Sequence, residues 1–390
     1  MVDRTVAVPT STEEAADLLR RSTGTLLFRG AGTKQGWGGR PHPADLVVDT
    51  RGLDGVIDHS PADMTAAVQA GLPLARLQEV LAEHGQWLAL DPSSEDAGAT
   101  VGGLLVAGAS GPRRLRNGTL RDLVIGATTV LSDGTVVRSG GHVIKNVAGY
   151  DLTKLAYGSL GTLGLVTEVV VRLHPVPETG TTVSTRCDVA EATALTLALL
   201  ASPLEPSAVV WAGDVPGPGL LAVRFEGRPG AVDAQTAAAR TMITTRGLTA
   251  EVEATAHGSR TGPPEPQADG SVTRLRAGTR PSDLPRVATA LADGARRSGC
   301  SAALVSQVGV GVHDVRLAGP VEGQAACVET WRTLVLELDG TVLLQDRPEA
   351  LDEHLDVLGP PPSSVRLLRS VKQRLDPAGR CAPGRFGRWY

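Results

Sequence analysis

The stretch ATVGGLLVAGASGPRRLRNGTLRD, residues 99–122, combines closely spaced glycines and other small residues with three arginines. Glycine lets a ligand approach the backbone closely and adopts a positive φ without steric cost. Backbone N–H groups beside Arg113, Arg114 and Arg116 would suit phosphate or carboxylate oxygens. The pattern predicts a cradle for a large anionic ligand, and a plain surface turn is the alternative that the residues leave open.

A second glycine-rich segment, RGAGTKQGWGG at residues 29–39, continues the short strand TLLFRG. Lys34 lacks the preceding Gly and the following Ser or Thr of a Walker A loop, and no dinucleotide fingerprint opens a helix here. Backbone amides of such a loop still suit a pyrophosphate. We therefore expect this segment to be a second part of a phosphate cradle.

Length and composition narrow the class of protein. The chain has 390 residues and a formal net charge of −4, with its charged residues dispersed. Two domains are expected, and the charge gives no argument for nucleic acid as a partner. No apolar run approaches the roughly 20 residues that span a bilayer, and the first residues lack a hydrophobic signal core. These features predict a cytoplasmic protein, with any membrane attachment made through partners.

The four cysteines are far apart in the sequence and have neither zinc nor iron–sulfur ligand spacing. We therefore expect reduced thiols. Any electrons handled by this chain would have to leave through a group other than an iron–sulfur cluster of its own.

The hydrophobic pattern places regular elements around the two glycine-rich segments. It predicts a helix over residues 10–21, strands at 45–50 and 64–71, and an amphipathic helix over 72–85. The stretch DLVIGATTVLSDGTVVRS, residues 122–139, predicts a β-hairpin because strand-forming residues flank an Asp-Gly turn. After Pro177, alternating strands and helices without a glycine-rich fingerprint predict a second α+β domain.

Three segments together carry a family resemblance: AGASGPRRLRNGTLRDLVIG at 107–126, KNVAGYDLTKLAYGSLGTLGLVTEV at 145–169 and RSVKQRLDPAGRCAPGR at 369–385. They resemble FAD-binding proteins of the vanillyl-alcohol oxidase and p-cresol methylhydroxylase type, and within that family the E subunit of bacterial glycolate oxidase. The resemblance implies an α+β fold with three parts. These are a two-part FAD-binding domain over 1–177 with an internal boundary near 71, an α+β cap domain over 178–350, and a C-terminal segment, 351–390, that returns to the FAD domain.

The resemblance also implies which residues hold FAD. The first loop would wrap the pyrophosphate, the segments near residues 91–93 and 100–122 would line and close the flavin site, and residues 161–166 would meet the adenosine end. The implied FAD residues are Arg29, Gly30, Ala31, Gly32, Thr33, Lys34, Gln35, Asp91, Pro92, Ser93, Thr100, Gly102, Gly103, Ser110, Gly111, Gly118, Asp122, Gly161, Gly164 and Val166. Some relatives attach FAD covalently through a His in the first loop. Since residues 29–39 contain no His, we expect non-covalent FAD.

Relatives of this type oxidise 2-hydroxy acids by hydride transfer to the flavin, with a side-chain base for the hydroxyl proton and an arginine for the carboxylate. Some carry the motif HxGDGNxH, whose histidines help to place a metal and the substrate. The corresponding segment here is QVGVGVHD, residues 307–314, in which Gln307 and Asp314 stand at the histidines and Val310 and Val312 at the Asp and Asn. Valine cannot ligate a metal, so no metal site of that kind is expected.

Three residues are left as catalytic candidates: His313, Arg316 and Tyr150. A structural role for His313 is the alternative, since a lone His on a strand is commonly part of the packing. Strand alternation puts Asp314 and Arg316 on the same face, opposite to that of His313, where they could pair with each other.

Three functions follow from the resemblance. The first is the FAD-binding subunit of a glycolate oxidase-like complex, in which a paralogous flavoprotein subunit oxidises a small 2-hydroxy acid, glycolate to glyoxylate, and an iron–sulfur subunit takes the electrons. The second is a stand-alone FAD-dependent oxidoreductase acting on another hydroxy acid or alcohol. The third is a flavin-fold scaffold without redox activity of its own.

Overall fold

The computed structural model describes residues 5–93, 98–141, 151–255 and 271–390. The chain divides into two compact units. Unit 1 comprises Met1–Gly111, Gly118–Val176 and Leu358–Tyr390, and unit 2 comprises Pro112–Asn117 and Pro177–Val357. The short segment Pro112–Asn117 thus belongs to unit 2, although both of its flanks in the sequence belong to unit 1.

The described residues form strands and helices of 2 to 17 residues. The strands are β1 Thr5–Ala7, β2 Leu26–Arg29, β3 Leu46–Asp49, β4 Val56–Ser60, β5 Thr65–Gln69, β6 Gln86–Trp87, β7 Val124–Val130, β8 Val136–Gly140, β9 Leu165–Arg172, β10 His174–Pro175, β11 Thr179–Cys187, β12 Ala208–Val215, β13 Gly219–Gly227, β14 Glu251–Ala254, β15 Thr273–Gly278, β16 Ser301–Gln307, β17 Val312–Ala318 and β18 Thr341–Leu344. The helices are α1 Thr12–Arg21, α2 Leu74–Ala82, α3 Val101–Ala107, α4 Arg114–Asn117, α5 Leu120–Leu123, α6 Thr153–Ala156, α7 Val189–Leu200, α8 Pro229–Thr244, α9 Leu284–Arg297, α10 Val321–Glu337 and α11 Val365–Leu375.

Unit 1 contains two main sheets. A parallel sheet has the order β1-β3-β2, and an antiparallel sheet has the order β4-β5-β9-β7-β8. Helix α1 begins at Thr12 because the Ser11 hydroxyl accepts a hydrogen bond from the Glu14 amide at 3.1 Å. Its buried face, with Ala15 and Leu19 fully buried, contributes to a hydrophobic cluster with residues of both sheets. The predicted hairpin is present as β7 and β8.

The C-terminal segment completes the parallel sheet of unit 1. The Leu26 amide donates to the Arg380 carbonyl, and the Ala382 amide donates to the Leu26 carbonyl, both at 2.8 Å. Asp376 holds the turn that precedes this contact by accepting from the Cys381 amide at 2.8 Å and from Lys372 Nζ at 2.6 Å. Residues 380–382 therefore lie beside β2, whose end leads into the first glycine-rich loop.

The stretch 99–122 contains the helices α3, α4 and α5, which its composition does not predict. Thr100 caps α3, its hydroxyl accepting from the Gly103 amide at 3.2 Å, and Gly108 ends the helix with φ +65°. Glycine inside α3 has a packing reason: a Cβ on Gly102 would lie 2.6 Å from the Cβ of Ala70. The helix thus approaches a neighbouring strand end more closely than a larger residue would allow.

Unit 2 is built on an antiparallel sheet with the order β14-β11-β13-β12-β16-β17-β15-β18. Strand β12 was not predicted from the sequence, although its apolar run AVVW is typical of a buried strand. Alternate residues of the strands join helices α7 to α10 in one hydrophobic core, with Trp211 and Trp331 fully buried. The other residues of the strands form the opposite side of the sheet, which we call the polar face; it carries Arg224, Glu226, Arg274, Arg276, Gln307, Asp314 and Arg316.

Across the described ranges of the chain, no helix combines the length and apolar character that crossing a membrane requires.

Candidate functional site

The first glycine-rich loop offers backbone donors at the end of β2. Within the described part of the chain, the amides of Ala31, Gly32 and Thr33 have no hydrogen-bond acceptor. Gly32 has φ +77°, a left-handed conformation that side-chain-bearing residues rarely adopt. Successive free amides in a tight turn form a concave site for an anion.

The loop lines a cavity of about 690 Å³, counting the part open to solvent. The cavity brings the predicted residues 29–35 together with predicted residues that are distant in the sequence. It is lined by Phe28, Arg29, Gly30, Ala31, Gly32, Thr33, Lys34, Gln35, Thr50, Ala70, Thr100, Gly102, Gly103, Val106, Ala107, Leu160, Gly161, Gly164, Leu165, Val166 and Arg385. All of these residues belong to unit 1. The loop, helix α3 and the start of β9 therefore converge on one site.

Close packing between the loop and α3 depends on glycine. A Cβ on Gly30 would lie 2.5 Å from the Thr100 hydroxyl oxygen, which is the atom that caps α3. Gly161 has φ +77°, a left-handed conformation that favours glycine, and a Cβ there would make an ordinary contact with the Phe28 ring at 3.5 Å. Gly30 thus allows the loop to lie directly against the cap of α3.

Arg385 braces the loop, and no role was predicted for it from the sequence. Its side chain is 3% exposed, and its Nη1 donates to the carbonyls of Gln35 at 2.6 Å and Trp37 at 2.9 Å. Its Nη2 also donates to Oε1 of Gln35. Arg385 is the last residue of DPAGRCAPGR, part of a segment that carries the family resemblance. Its contact with the loop was not predictable from local sequence, because the two partners lie about 350 positions apart.

The remaining predicted FAD residues do not line this cavity. Gly111 packs on Asp91, since a Cβ there would lie 1.9 Å from the Asp91 carbonyl oxygen. The buried hydroxyl of Ser110 has no hydrogen-bond partner among the described residues. Asp91, Pro92 and Ser93 lie directly before the undescribed residues 94–97. The unpaired hydroxyl is the feature of this group that points to a ligand.

Gly118 and Asp122 have a local structural role. The carboxylate of Asp122 accepts hydrogen bonds from the amide and the hydroxyl of Thr119, both at 2.8 Å, at the start of α5. Burial raises the pKa of Asp122, but the hydrogen bonds from Thr119 and the charges of Arg121 and Lys154 outweigh it and hold the pKa below its ordinary value. Asp122 is thus the N3 residue of a capping box in which Thr119 is the N-cap.

Arg113 and Arg116, whose roles the sequence leaves open, are anchored within unit 2. Arg113 makes a two-pronged pair with Glu226, Nε to Oε2 at 3.0 Å and Nη2 to Oε1 at 2.9 Å. Arg224 contacts the same carboxylate at 3.0 Å, and all three side chains are at most 5% exposed. Arg116 donates to the Glu226 carbonyl at 2.8 Å. Arg113 is therefore buried and engaged by a carboxylate of the chain itself.

The pKa of Glu226 is lowered despite its burial. Burial raises the pKa, but the hydrogen bond and charge of Arg113, the charge of Arg224 and a hydrogen bond from Ser207 together lower it by more. Glu226 is accordingly an ionised group that binds two arginines.

His313 is fully buried and both of its ring nitrogens are occupied. Nδ1 is 2.9 Å from the Ser306 hydroxyl and Nε2 is 2.8 Å from the Thr279 hydroxyl. Burial lowers the pKa of His313 to about 4, against a smaller opposing effect of the nearby charges of Asp314 and Asp283. This geometry is that of a packing histidine.

The pairing of Asp314 with Arg316 considered from the sequence is not what the structure shows. Asp314 instead pairs with Arg276, its two oxygens lying 2.6 and 3.0 Å from Nε and Nη2. Arg276 was missed because it lies directly opposite Asp314 on the neighbouring strand, a position that only the strand register defines. Tyr150, the third catalytic candidate, lies outside the described residues. In the part of the chain that the structure describes, no group of three His, Cys, Asp or Glu residues could hold a metal ion.

Comparisons with known proteins bear on the fold and on the first part of the chain. Residues 4–140 match the family model described as "FAD binding domain". A solved structure of p-cresol methylhydroxylase superposes with a TM-score of 0.75 at 16% identity, covering 98% of this chain and 88% of that chain. The expected fold class is thereby confirmed, and the first part of the chain is an FAD-binding domain.

Two curated relatives lie closer in sequence. The chain is 32% identical over 209 residues to glycolate oxidase subunit GlcE of Escherichia coli, covering 54% of this chain and 58% of that protein. It is 34% identical over 206 residues to glycolate oxidase subunit GlcD of Bacillus subtilis, covering 52% of this chain and 44% of that protein. The matches span about half the length of these relatives. They confirm the resemblance drawn from the sequence motifs.

The residues present fit FAD. The free amides of residues 31–33 suit a pyrophosphate, and the positive charge of Lys34 lies on the same loop. The unpaired, buried hydroxyl of Ser110 is available to a polar group of the cofactor.

Proposed function

We propose that the chain is the FAD-binding subunit of a glycolate oxidase-like complex, which oxidises glycolate to glyoxylate together with a paralogous flavoprotein subunit and an iron–sulfur subunit. The observation that carries the proposal is a contrast within the chain. The cavity proposed for FAD brings together the loop, the cap of α3 and the brace Arg385, whereas segment 307–314 has valine at two of the positions where metal- and substrate-placing residues stand in related enzymes. The names of the two curated relatives support the same reading.

In this proposal the chain's own residues bind and orient the cofactor. The amides of Ala31, Gly32 and Thr33 hold the pyrophosphate, Arg385 keeps the loop in its binding conformation, and Thr100 fixes α3 beside it. FAD, when bound, supplies the acceptor for a hydride and then passes electrons on. With no His in residues 29–39, the cofactor is held without a covalent bond, and denaturant should release it intact.

Within segment 307–314, all of it described, neither titratable side chain is a free proton acceptor, because both oxygens of Asp314 are bonded to Arg276 and His313 is buried. A general base needs a free atom within reach of the substrate and a pKa near the working pH. His313 meets neither condition, since hydroxyls occupy both nitrogens and its pKa is lowered to about 4 by burial. We therefore assign proton removal from the hydroxy acid to the paralogous subunit.

The test is the absorption spectrum of the purified chain, followed by addition of glycolate with and without the partner subunits. A flavin spectrum, co-purification with the two other subunits, and glycolate-dependent dye reduction only in their presence are expected. Turnover of glycolate by the isolated chain would refute the subunit role. Purification without FAD and failure to take it up would favour the scaffold role. We also propose a cytoplasmic location, with membrane attachment through partners.

A stand-alone oxidoreductase acting on another hydroxy acid is the second candidate. The observation that favours it is the guanidinium of Arg316, which makes no hydrogen bond or ion pair with the described residues and is thus available to a carboxylate. Rapid bleaching of the isolated chain's flavin by a panel of hydroxy acids would support this function over the first.

A further inference from the structure

The last part of unit 1, residues 358–390, is strongly basic. It contains seven lysines and arginines and one acidic residue, although the chain as a whole has a formal net charge of −4. The acidic residue, Asp376, is buried and lies 2.6 Å from Lys372 Nζ. The arginines of this segment therefore find no carboxylate within it that is free to neutralise them.

Helix α11 displays part of this charge on one side. Arg366, Arg369 and Arg374 are exposed, and so are Ser370 and Gln373 between them. These positions recur every three or four residues, the spacing at which side chains share one side of a helix. We call these five residues the basic face of α11.

The arginines of the basic face lack counterions. In the described ranges of the chain, the side chains of Arg366 and Arg374 take part in no hydrogen bond or ion pair. Arg369 donates from Nε to the Trp389 carbonyl at 2.7 Å and from Nη2 to the Arg388 carbonyl at 3.1 Å, which fixes the side chain but leaves its charge unneutralised. Like charges this close together on a helix repel each other, and an acidic partner would relieve the repulsion.

An exposed leucine adjoins the basic face. Leu367 is 65% exposed, the highest value among the large apolar side chains that the structure describes. It lies seven positions before Arg374 and therefore on the same side of α11. None of the valines and leucines of α11 is buried. A partner that covers Leu367 would remove apolar surface from water, which is favourable.

Two kinds of partner offer negative charge, an acidic protein and an anionic lipid surface. A helix that lies on a bilayer turns a continuous apolar face toward it. The outward side of α11 carries three arginines and one leucine, whereas Leu368, Val371 and Leu375 are half-buried. Guanidinium forks pair with carboxylates in two-pronged geometry, and arginine is enriched in protein interfaces. The composition of this side therefore favours a protein.

We propose that the basic face of α11, together with Leu367, is a docking surface for the carboxylate-rich face of a partner protein. The inference rests on the proposed function, in which that partner is one of the other subunits of the complex. No residue of the basic face lines the cavity proposed for FAD, so docking and cofactor binding can be measured separately.

The test measures binding of the purified, FAD-containing full chain to each partner subunit, at about 0.05 M and about 0.3 M salt. The variants are Arg366→Glu, Arg374→Glu and Leu367→Ala. Arg21→Glu is the matched control, because Arg21 is an 83% exposed arginine on helix α1 of the same unit and its replacement changes the net charge equally. Flavin absorbance of every variant should equal that of the natural chain.

The natural chain and Arg21→Glu should bind one of the subunits, and more tightly at low salt, because salt screens contacts between exposed charges. Arg366→Glu and Arg374→Glu should each weaken binding about tenfold or more, since a like charge then faces the partner's carboxylates. Leu367→Ala should weaken binding by a smaller factor at both salt concentrations. Arg374→Lys, which keeps the charge, should bind nearly as tightly as the natural chain at low salt.

Three outcomes would overturn the proposal. If a complex forms and both Glu variants of α11 bind as Arg21→Glu does, the docking surface is wrong and the proposed function stands. If neither subunit binds the natural chain, the proposed function fails and the docking surface fails with it. Sedimentation with vesicles of equal parts of phosphatidylserine and phosphatidylcholine tests the lipid alternative. Vesicle binding that both Glu variants abolish, with subunit binding unchanged, would assign the basic face to a membrane instead.

Discussion

Replacement of the central carboxylate of the Arg113–Glu226–Arg224 cluster should destabilise unit 2 more than replacement of either outer arginine. Glu226 lies between two buried guanidinium groups, at 2.9 Å from Arg113 and 3.0 Å from Arg224. Arg113→Met leaves Glu226 paired with Arg224. Glu226→Gln leaves two buried like charges facing a neutral amide. The order of destabilisation follows from the charge left behind in each variant.

The magnitude follows from the burial of the three side chains, each at most 5% exposed. Removing one partner of a buried ion pair typically costs about 3–5 kcal/mol. We expect the lower end of that range for Arg113→Met and at least the upper end for Glu226→Gln. The exposed Arg228 is the control, because its contact with Glu178 is 3.9 Å long and both side chains are largely in solvent, so Arg228→Met should change stability by less than about 1 kcal/mol.

The assay is urea unfolding combined with hydrogen exchange of peptides covering β13 and residues 112–117. The pKa of Glu226 is lowered in the folded chain, so the unfolded state binds more protons at acidic pH. The stability that Glu226 contributes is therefore complete above its unfolded pKa of about 4.3 and is lost as the pH falls further. The difference between Glu226→Gln and the natural chain should shrink over the same interval.

Equal destabilisation by Glu226→Gln and Arg113→Met would refute this reasoning, because it would mean that the second arginine is not held by the carboxylate. So would a difference that stays constant down to pH 3. Faster exchange confined to β13 and residues 112–117 is the pattern that the contacts require.

Three further predictions concern the loop, its brace and the buried histidine. Gly32→Ala should weaken FAD binding, measured by fluorescence titration, about tenfold, since a left-handed alanine costs about 1–2 kcal/mol. The control Gly230→Ala should bind FAD normally, because the added Cβ would meet no atom within 4 Å. Arg385→Met should weaken FAD binding at least as much by freeing the carbonyls of Gln35 and Trp37, and unchanged affinity would remove Arg385 from the site. Burial lowers the pKa of His313 in the folded chain to about 4, so the natural chain should lose up to about 1.4 kcal/mol of unfolding free energy per pH unit as the pH falls from 6.5 to 4. In His313→Asn this dependence on pH, measured by urea unfolding, should be weaker. An unaltered pH dependence would contradict a buried, neutral imidazole.

Local sequence predicted much of unit 1. Helix α1 was recognisable from its cap and its acidic first turn, and the β7–β8 hairpin from its Asp-Gly turn, because these signals act between residues close in the chain. The loop 29–35 was assigned to a phosphate from its glycines for the same reason, and it lines the cavity. The run at 101–107 was not predicted as a helix, because its glycines disfavour one and the reason for Gly102, the close approach to Ala70, is a tertiary contact.

The amino-acid sequence by itself indicated the fold class, through the family resemblance, and it indicated the glycine-rich loop that lines the cavity, since both rest on motifs of contiguous residues. Only the tertiary structure decided which charged groups meet. Arg113 pairs with Glu226, Asp314 with Arg276 instead of Arg316, and Arg385 braces a loop about 350 residues away. Such contacts depend on the strand register and on where distant segments of the chain pack together. The strength of an ion pair depends on the distance between its charges in the folded chain, which local sequence patterns do not give.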